Sequence, residues 1–251
     1  HCLSEYLYFV GEGTENIADQ LTKKFPNMRI ARFDRDTMAH KGGIEDVLLK
    51  FAAGGLDMLV GTQMIAKGHD FPNVTLVGVI SVDIGLGLPD LRSAERTFQL
   101  ITQVAGRAGR GDMPGEVIVQ TFAPSHPAIA AARGQEYEAF YRREIVFREE
   151  LGYPPVNRFV AVTVRGRGEE AVRWYSRRLA GAAVSAAPPG IAVLGPAPAP
   201  IARAKGYYRW QIILRGKGVL KMNALLKAVS AGLKPPKGIQ ILVDADPMAM
   251  L

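Results

Sequence analysis

Only one of the 251 residues, Cys2, is a cysteine. That excludes an internal disulfide framework and fits a reducing compartment. A lone thiol cannot build a structural zinc site either, since such a site needs four ligands. No apolar run approaches the ~20 residues of a membrane-spanning helix. The opening HCLSEYLYFV lacks the basic start and small-residue cleavage site of a secretory signal. Also missing is any G-x-x-x-x-G-K-[ST] phosphate loop, as is an acidic D-E-x-H-type box able to hold magnesium. Phosphate hydrolysis by the usual loop-and-magnesium route is therefore not expected of these residues alone.

What is present is basic. Lys and Arg number 31 against 24 Asp and Glu, a formal net charge of +7. Such a balance suits a polyanionic partner, because each cation that meets a phosphate releases counterions. It also falls within ordinary solubility charge for a small domain. Hydrophobic residues at 48% and charged residues at 22% are usual for a globular chain.

The first half alternates strand-like and helix-like stretches. YLYFVG, MRIARFD, DMLVGT, VTLVGVISVD and EVIVQTF read as strands. The segments Thr14 to Phe25 (with Thr14 as N-cap), Ile44 to Ala53 and the stretch from Ser93 through AERTFQLITQVAG read as helices. Repeated alternation predicts an α/β layer with a parallel sheet and flanking helices, and in such sheets function sits at loops beyond the carboxyl ends of strands. From Ala128 to Leu151 the pattern is helical and charged, with Arg142, Arg143 and Arg148 on a solvated face. It stops at Gly152, and the prolines Pro154 and Pro155 cannot continue a helix. A domain boundary is expected there, giving residues 3–155 and 156–251. Beyond it the order strand, helix, strand, strand, helix, strand is that of a ferredoxin-like α+β fold. APPG and GPAPAPIA are expected to be turns or short extended links.

Two strings carry chemistry. In Gln103-Val-Ala-Gly-Arg-Ala-Gly-Arg110, two arginines three apart lie near one face of a helix end. The planar, always-charged guanidinium suits the grip a transferring phosphoryl group requires. The same string also reads as a helix C-terminus, with arginines on the dipole and glycines as the stop. In Gly61-Thr-Gln-Met-Ile-Ala-Lys-Gly-His-Asp70, a threonine after a strand is suited to holding a nucleic-acid phosphate. There Lys67 offers a point charge, and Asp70 can accept a bond from a ribose hydroxyl. A plain surface loop is the other reading of that stretch, and His69 has no partner at metal-ligand spacing.

The first string resembles motif six of superfamily-two helicases, and the second resembles their motif five. Between them lie Asp83, Pro89, Asp90, Arg92, Glu95, Arg96, Gln99 and Leu100. These match the D…PD-x-R-x-x-ER-x-x-QL pattern of the PriA family of bacterial replication-restart DNA helicases, with Ser81 departing from a common acidic residue. The stretch from Arg32 to Thr37 resembles that family's motif four, while EELGYPP, VLGPAPAPIAR, YYRWQI and DADP resemble its C-terminal domain.

The resemblance implies a RecA-like second helicase lobe followed by a ferredoxin-like domain. It further implies 3′-to-5′ DNA unwinding driven by ATP and Mg2+, and restart of replication at stalled or abandoned forks by primosome assembly. Arg107 and Arg110 are the implied catalytic arginines, with Arg110 the finger. Gly68, Asp70, Gln103 and Gly106 fall at the nucleotide, and Thr62, Gln63, Lys67, Arg203, Lys205 and Arg209 at nucleic acid. Tyr207, Trp210 and Gln211 fall at the acidic C-terminal tail of single-strand DNA-binding protein, although many relatives carry arginine at the place of Tyr207. In the aromatic-basic strand YYRWQ, one of the two alternating sets is expected to be core.

The family's phosphate loop and zinc-binding C-x-x-C pairs are implied to lie before His1, with Cys2 the last ligand of that insertion. No zinc and no ATP hydrolysis are expected of this chain alone. The implied partners are forked and single-stranded DNA, single-strand DNA-binding protein and primosome proteins, with no membrane. A monomeric state and a cytoplasmic, nucleoid-associated place are expected. The competing reading is an ATPase-dead adaptor that recognises forks and loads a replicative helicase without unwinding.

Overall fold

The computed structural model describes residues 13–34, 43–62, 73–106, 108–109 and 114–250. The chain forms two compact units. The first runs to Phe140, except for Pro89–Ser93. The second comprises Pro89–Ser93 and everything from Tyr141 onward.

In the first unit, α1 (Thr14–Lys24), β1 (Ile30–Phe33), α2 (Gly43–Ala52) and β2 (Met58–Gly61) form one alternating group. Strands β1 and β2 pair in parallel from Ile30 opposite Met58 to Phe33 opposite Gly61. A fork of three bonds pins the start of this pair: Arg29 donates its backbone N–H and Nε to Asp57 Oδ2, and its Nη2 to Asp57 Oδ1. The Arg29 hydrogen bonds hold the Asp57 carboxyl down at about 2. Thr14, expected to be an N-cap, is the first residue inside α1, and Gly13 caps it. The Thr14 hydroxyl instead donates to Asp34 Oδ2 at 2.8 Å, beyond the end of β1.

Strands β3 (Leu76–Val79) and β4 (Glu116–Val119) form a second parallel pair. No ladder joins it to β1–β2 among the described residues. The strand expected to run through Asp83 ends at Val79, because Ser81 takes a left-handed φ of 55° and the chain turns into the short helix α3 (Asp83–Leu86). Helix α4 (Ser93–Ala105) buries Phe98 and Ile101 against Ala128, Ile129 and Ala132 of α5 (Pro127–Arg133). Phe98 stacks on Phe140 with centroids 4.5 Å apart. The helical stretch expected from Ala128 to Leu151 is two helices, α5 and α6 (Tyr137–Leu151). It breaks at Gly134 and Gln135, the latter at φ 53°.

Helix α6 ends on Gly152 at φ 63°, where Tyr153 N–H reaches Arg148 O and Gly152 N–H reaches Glu149 O. This is a Schellman stop, which needs a residue tolerant of the left-handed region. Next come β5 (Arg158–Gly166), α7 (Glu169–Ala186), β6 (Ala192–Ala204), β7 (Tyr207–Gly216), α8 (Val219–Gly232) and β8 (Gln240–Ala245). The sheet is antiparallel in the order β6-β7-β5-β8, which is the ferredoxin-like arrangement.

Both helices of this domain cover one sheet face. Val160, Val162 and Val164 of β5 meet Ile212 and Leu214 of β7 beneath Val172, Tyr175 and Leu179 of α7 and Met222 and Val229 of α8. Apolar side chains every second residue on the strands and every third or fourth on the helices make this one continuous core. GPAPAPIA, expected to be a link, is the middle of β6. As an edge strand β6 accommodates prolines, whose missing N–H would break a central ladder. Its register slips between Leu194 and Ala197 and again between Pro198 and Arg203.

Candidate functional site

In the first unit, Thr62 is exposed immediately beyond β2, at a carboxyl strand end. Gln103 is half-buried on the last turn of α4, and exposed Gly106 follows, its N–H donating to Thr102 O. Gln63, Lys67, Gly68, Asp70, Arg107 and Arg110 lie outside the described residues, as does Cys2.

The glycines of the arginine-rich string have unequal jobs. A Cβ on Gly106 would meet only ordinary contacts. Gly109, at φ 73°, lies so close to Gly115 that a Cβ would stand 2.5 Å from the Gly115 nitrogen. Gly109 N–H also donates to Val74 O. Backbone proximity to the turn before β4 therefore sets the path of the string.

Asp83 is committed to bracing the ends of β3 and β4. Its carboxylate accepts from Thr121 Oγ1 at 2.8 Å and from Phe122 N–H at 3.1 Å. Burial pushes its carboxyl up, but these and neighbouring bonds outweigh that and leave it below the usual carboxylate range.

The second unit carries its sequence-predicted residues on one hairpin, divided between the two faces of the sheet. Strands β6 and β7 form a hairpin whose two-residue turn, Lys205 and Gly206, has φ of 49° and 80° between the paired Ala204 and Tyr207. Left-handed values at both positions are those of a type I′ turn. Around this tip Arg165 and Arg167 lie over the Tyr207 ring, 5.3 and 5.9 Å from its centroid, and Arg203 lies 5.0 Å over Tyr208. Arg209 stands directly across from Arg165 in the ladder. Arg165 donates to Gln240 Oε1, and Arg209 reaches Ile201 O at 3.5 Å. Among the described residues none of Arg165, Arg167, Arg203, Lys205 and Arg209 has a carboxylate in ion-pair range. Arg165 and Arg209 stand opposite one another in the ladder, a like-charge pairing that is mutually destabilising on a sheet.

Register decides which side chains face which way. Tyr208 and Trp210 alternate with core residues Ile212 and Leu214 and pack partly on the helix-covered core. Tyr207, Arg209 and Gln211 belong to the opposite, helix-free face, with Gln211 across from Thr163. Arg165 and Arg167 were not singled out in the sequence. The RGR closing β5 was the available signal, and only the β5–β7 register shows that it meets Tyr207.

Among the described residues no group of three or more His, Cys, Asp or Glu could hold a metal ion. No helix there is long and apolar enough to cross a membrane.

Two family models match the chain: the helicase conserved C-terminal domain over residues 6–112, and the primosomal protein N C-terminal domain over residues 149–248. Over 253 residues the chain is 43% identical to the replication restart protein PriA of Bacillus subtilis, covering all of this chain and 31% of that protein. It is 40% identical to PriA of a Synechocystis species, covering 99% of this chain and 30% of the relative. With PriA of Haemophilus influenzae the identity is 37%, over 98% of this chain and 34% of the relative. The chain thus spans about a third of the length of the curated relatives it matches. With a helicase C-terminal lobe and a primosomal C-terminal domain in succession, and identity to these relatives along its whole length, the chain belongs to the PriA family of replication restart proteins.

Proposed function

We propose that this chain supplies the second motor lobe and the fork-binding C-terminal domain, residues 3–155 and 156–251, of an ATP-dependent 3′-to-5′ DNA helicase. In the intact protein it restarts replication at stalled forks by helping to assemble a primosome. The carrying observation is the hairpin tip, where Arg165 and Arg167 lie over Tyr207 and Arg203 over Tyr208, beside Lys205 and Arg209 and, among the described residues, with no carboxylate in ion-pair range. Cations neutralise phosphates and rings stack on unpaired bases, a combination that tolerates any sequence.

Within the intact motor, Arg107 and Arg110 of the string after α4 meet the γ-phosphate of ATP held with Mg2+ by another lobe. Gly68, Asp70, Gln103 and Gly106 line the nucleotide side. Thr62, Gln63 and Lys67 hold the tracked strand by its phosphates, so that Gln103 links nucleotide state to DNA grip. ATP supplies the free energy of translocation, and this chain's residues orient and neutralise charge. Arg203, Lys205 and Arg209 hold the fork backbone. The open-face pair Tyr207 and Gln211, with Trp210 behind them, receives the acidic tail of single-strand DNA-binding protein. These roles place the protein in the bacterial cytoplasm.

The test is fluorescence anisotropy of the 251-residue chain on forked, single-stranded and blunt duplex DNA at several salt concentrations. Tighter binding to the fork that weakens as salt rises is expected. Equal or absent binding to all three would overturn fork recognition by this part. For the motor half, Arg110→Ala in the intact protein is expected to abolish ATP turnover while fork binding persists, and unchanged turnover would defeat the assignment.

A further inference from the structure

The segment Pro89–Ser93 is flanked on both sides by residues of the first unit, yet it clusters with the second. Its grip is specific. Asp90 is 6% exposed, and its carboxylate is divided between two backbone donors. Oδ1 accepts from Arg92 N–H at 2.9 Å, a local turn, while Oδ2 accepts from Met250 N–H at 3.1 Å, across 160 residues of sequence. Arg92 Nη1 reaches Met248 Sδ at 3.0 Å. Met250 is itself buried.

The tail that makes these contacts is directed as it leaves β8. Asp246 takes φ 54°, donates its N–H to Phe159 O and forms an ion pair with Arg158. A hydrogen bond to a charged, buried carboxylate is worth more than one between neutral groups, so Asp90 Oδ2 and the Met250 amide stabilise each other's placement. From Ser93 the chain passes without interruption into α4, whose far end carries the arginine-rich string.

We infer that residues Asp246–Met250 are a clasp that fixes the entry of α4, with Asp90 a positioning residue for the string at the other end of that helix. The clasp stands on its own contacts, and the positioning role rests on the motor reading above. Asp90 does not touch nucleotide in this account. It acts by holding the N-terminal end of a stiff 13-residue helix, so a slack clasp lets the distal arginines drift from the geometry that transition-state charge stabilisation demands.

Substituting Asp90 would also remove its own local turn bond, so the decisive variants lie on the tail. These are Met250→Pro, which deletes the donor, and a chain ended after Pro247. Hydrogen exchange of the 251-residue chain is expected to show roughly tenfold faster exchange at Thr97–Ile101 in both variants, the loss of about one such bond, with α7 and β5 unchanged. Unchanged exchange at Thr97–Ile101 in both would overturn the clasp.

In the intact protein, Met250→Pro is expected to lower kcat for DNA-stimulated ATP turnover about tenfold with KM and fork affinity unchanged. Faster α4 exchange with unaltered kcat would overturn the positioning role. An intact parent protein that turns over no ATP would sink the motor reading instead, and the exchange arm would still judge the clasp.

Discussion

The two units solve the same problem, covering a sheet, to different degrees. In the second, strands of six to thirteen residues stack on α7 and α8, and Val160, Val162, Val164 and Leu214 are fully buried. In the first, every strand among the described residues is four residues long, and Leu76 of β3 and Ile118 of β4 remain more than half exposed. Parallel strands are normally buried on both faces, and Leu76 and Ile118 depart from that rule. The second unit is organised around a single interior. The first depends more on backbone devices, such as the Arg29–Asp57 fork, the Asp83 brace and the Gly109–Gly115 approach. Such devices give precise local geometry with little buried area, fixing the paths of the loops that leave these strands.

The largest effect that separates the units is expected from Tyr175→Ala. This ring is fully buried, and its hydroxyl donates to Leu233 O at 2.7 Å. A loss of about 3–5 kcal/mol is expected, confined to the second of two transitions in urea unfolding followed by residue-resolved probes. Equal loss in both transitions would show that the units do not unfold separately.

Next is Gly115→Ala in the first unit. The added methyl collides with the Gly109 backbone, and strain on the order of 2 kcal/mol is expected in the first transition. In the intact protein, ATP turnover is expected to fall further than stability alone predicts, because the arginine-rich string is displaced.

Arg203→Ala is expected to weaken fork binding and reduce the slope of log affinity against log salt by about 1, the signature of one lost phosphate contact. An unchanged slope would remove Arg203 from the interface.

A smaller effect concerns pH. The Asp57 carboxyl is lowered to about 2, chiefly by its Arg29 hydrogen bonds. Because the folded value lies below the unfolded one, the contribution is present above the ordinary carboxylate range and lost as pH falls through about 2. The stability gap between the native chain and Asp57→Asn is therefore expected to narrow on acidification through that window. A gap that is constant with pH would assign the effect to packing.

The smallest is Lys205→Asn. Asparagine tolerates the left-handed value that lysine occupies here, and a gain of about 0.5–1 kcal/mol is expected in the second transition. Fork affinity should drop in the same variant, which separates turn strain from charge.

Legibility in the sequence follows the same divide. Helix α7, strand β7 and helix α8 begin and end where expected, because glycine or proline punctuates runs of clear period 2 or 3.6. The split between α5 and α6 was hidden, since nothing about Gln135 announces a left-handed residue and Gly134 alone is tolerated inside helices. The continuation of β6 through its prolines was hidden for the opposite reason, as alternating prolines look like a link until the strand is known to lie at an edge. At the site, alternation showed that one set of YYRWQ would be interior. Deciding that Tyr208 and Trp210 belong to it took the pairing with Gly166 and Val164, a long-range fact that local pattern does not contain. The meeting of Arg165 and Arg167 with Tyr207 is long-range in the same way.

The prolines of β6 have one further consequence. Pro196, Pro198 and Pro200 fall at alternate residues along an outermost strand, and each lacks an amide hydrogen. The strand therefore has three fewer donors with which a stray extended segment from another molecule could pair, and prolines on an outermost strand blunt the edge-to-edge stacking by which sheets grow into aggregates.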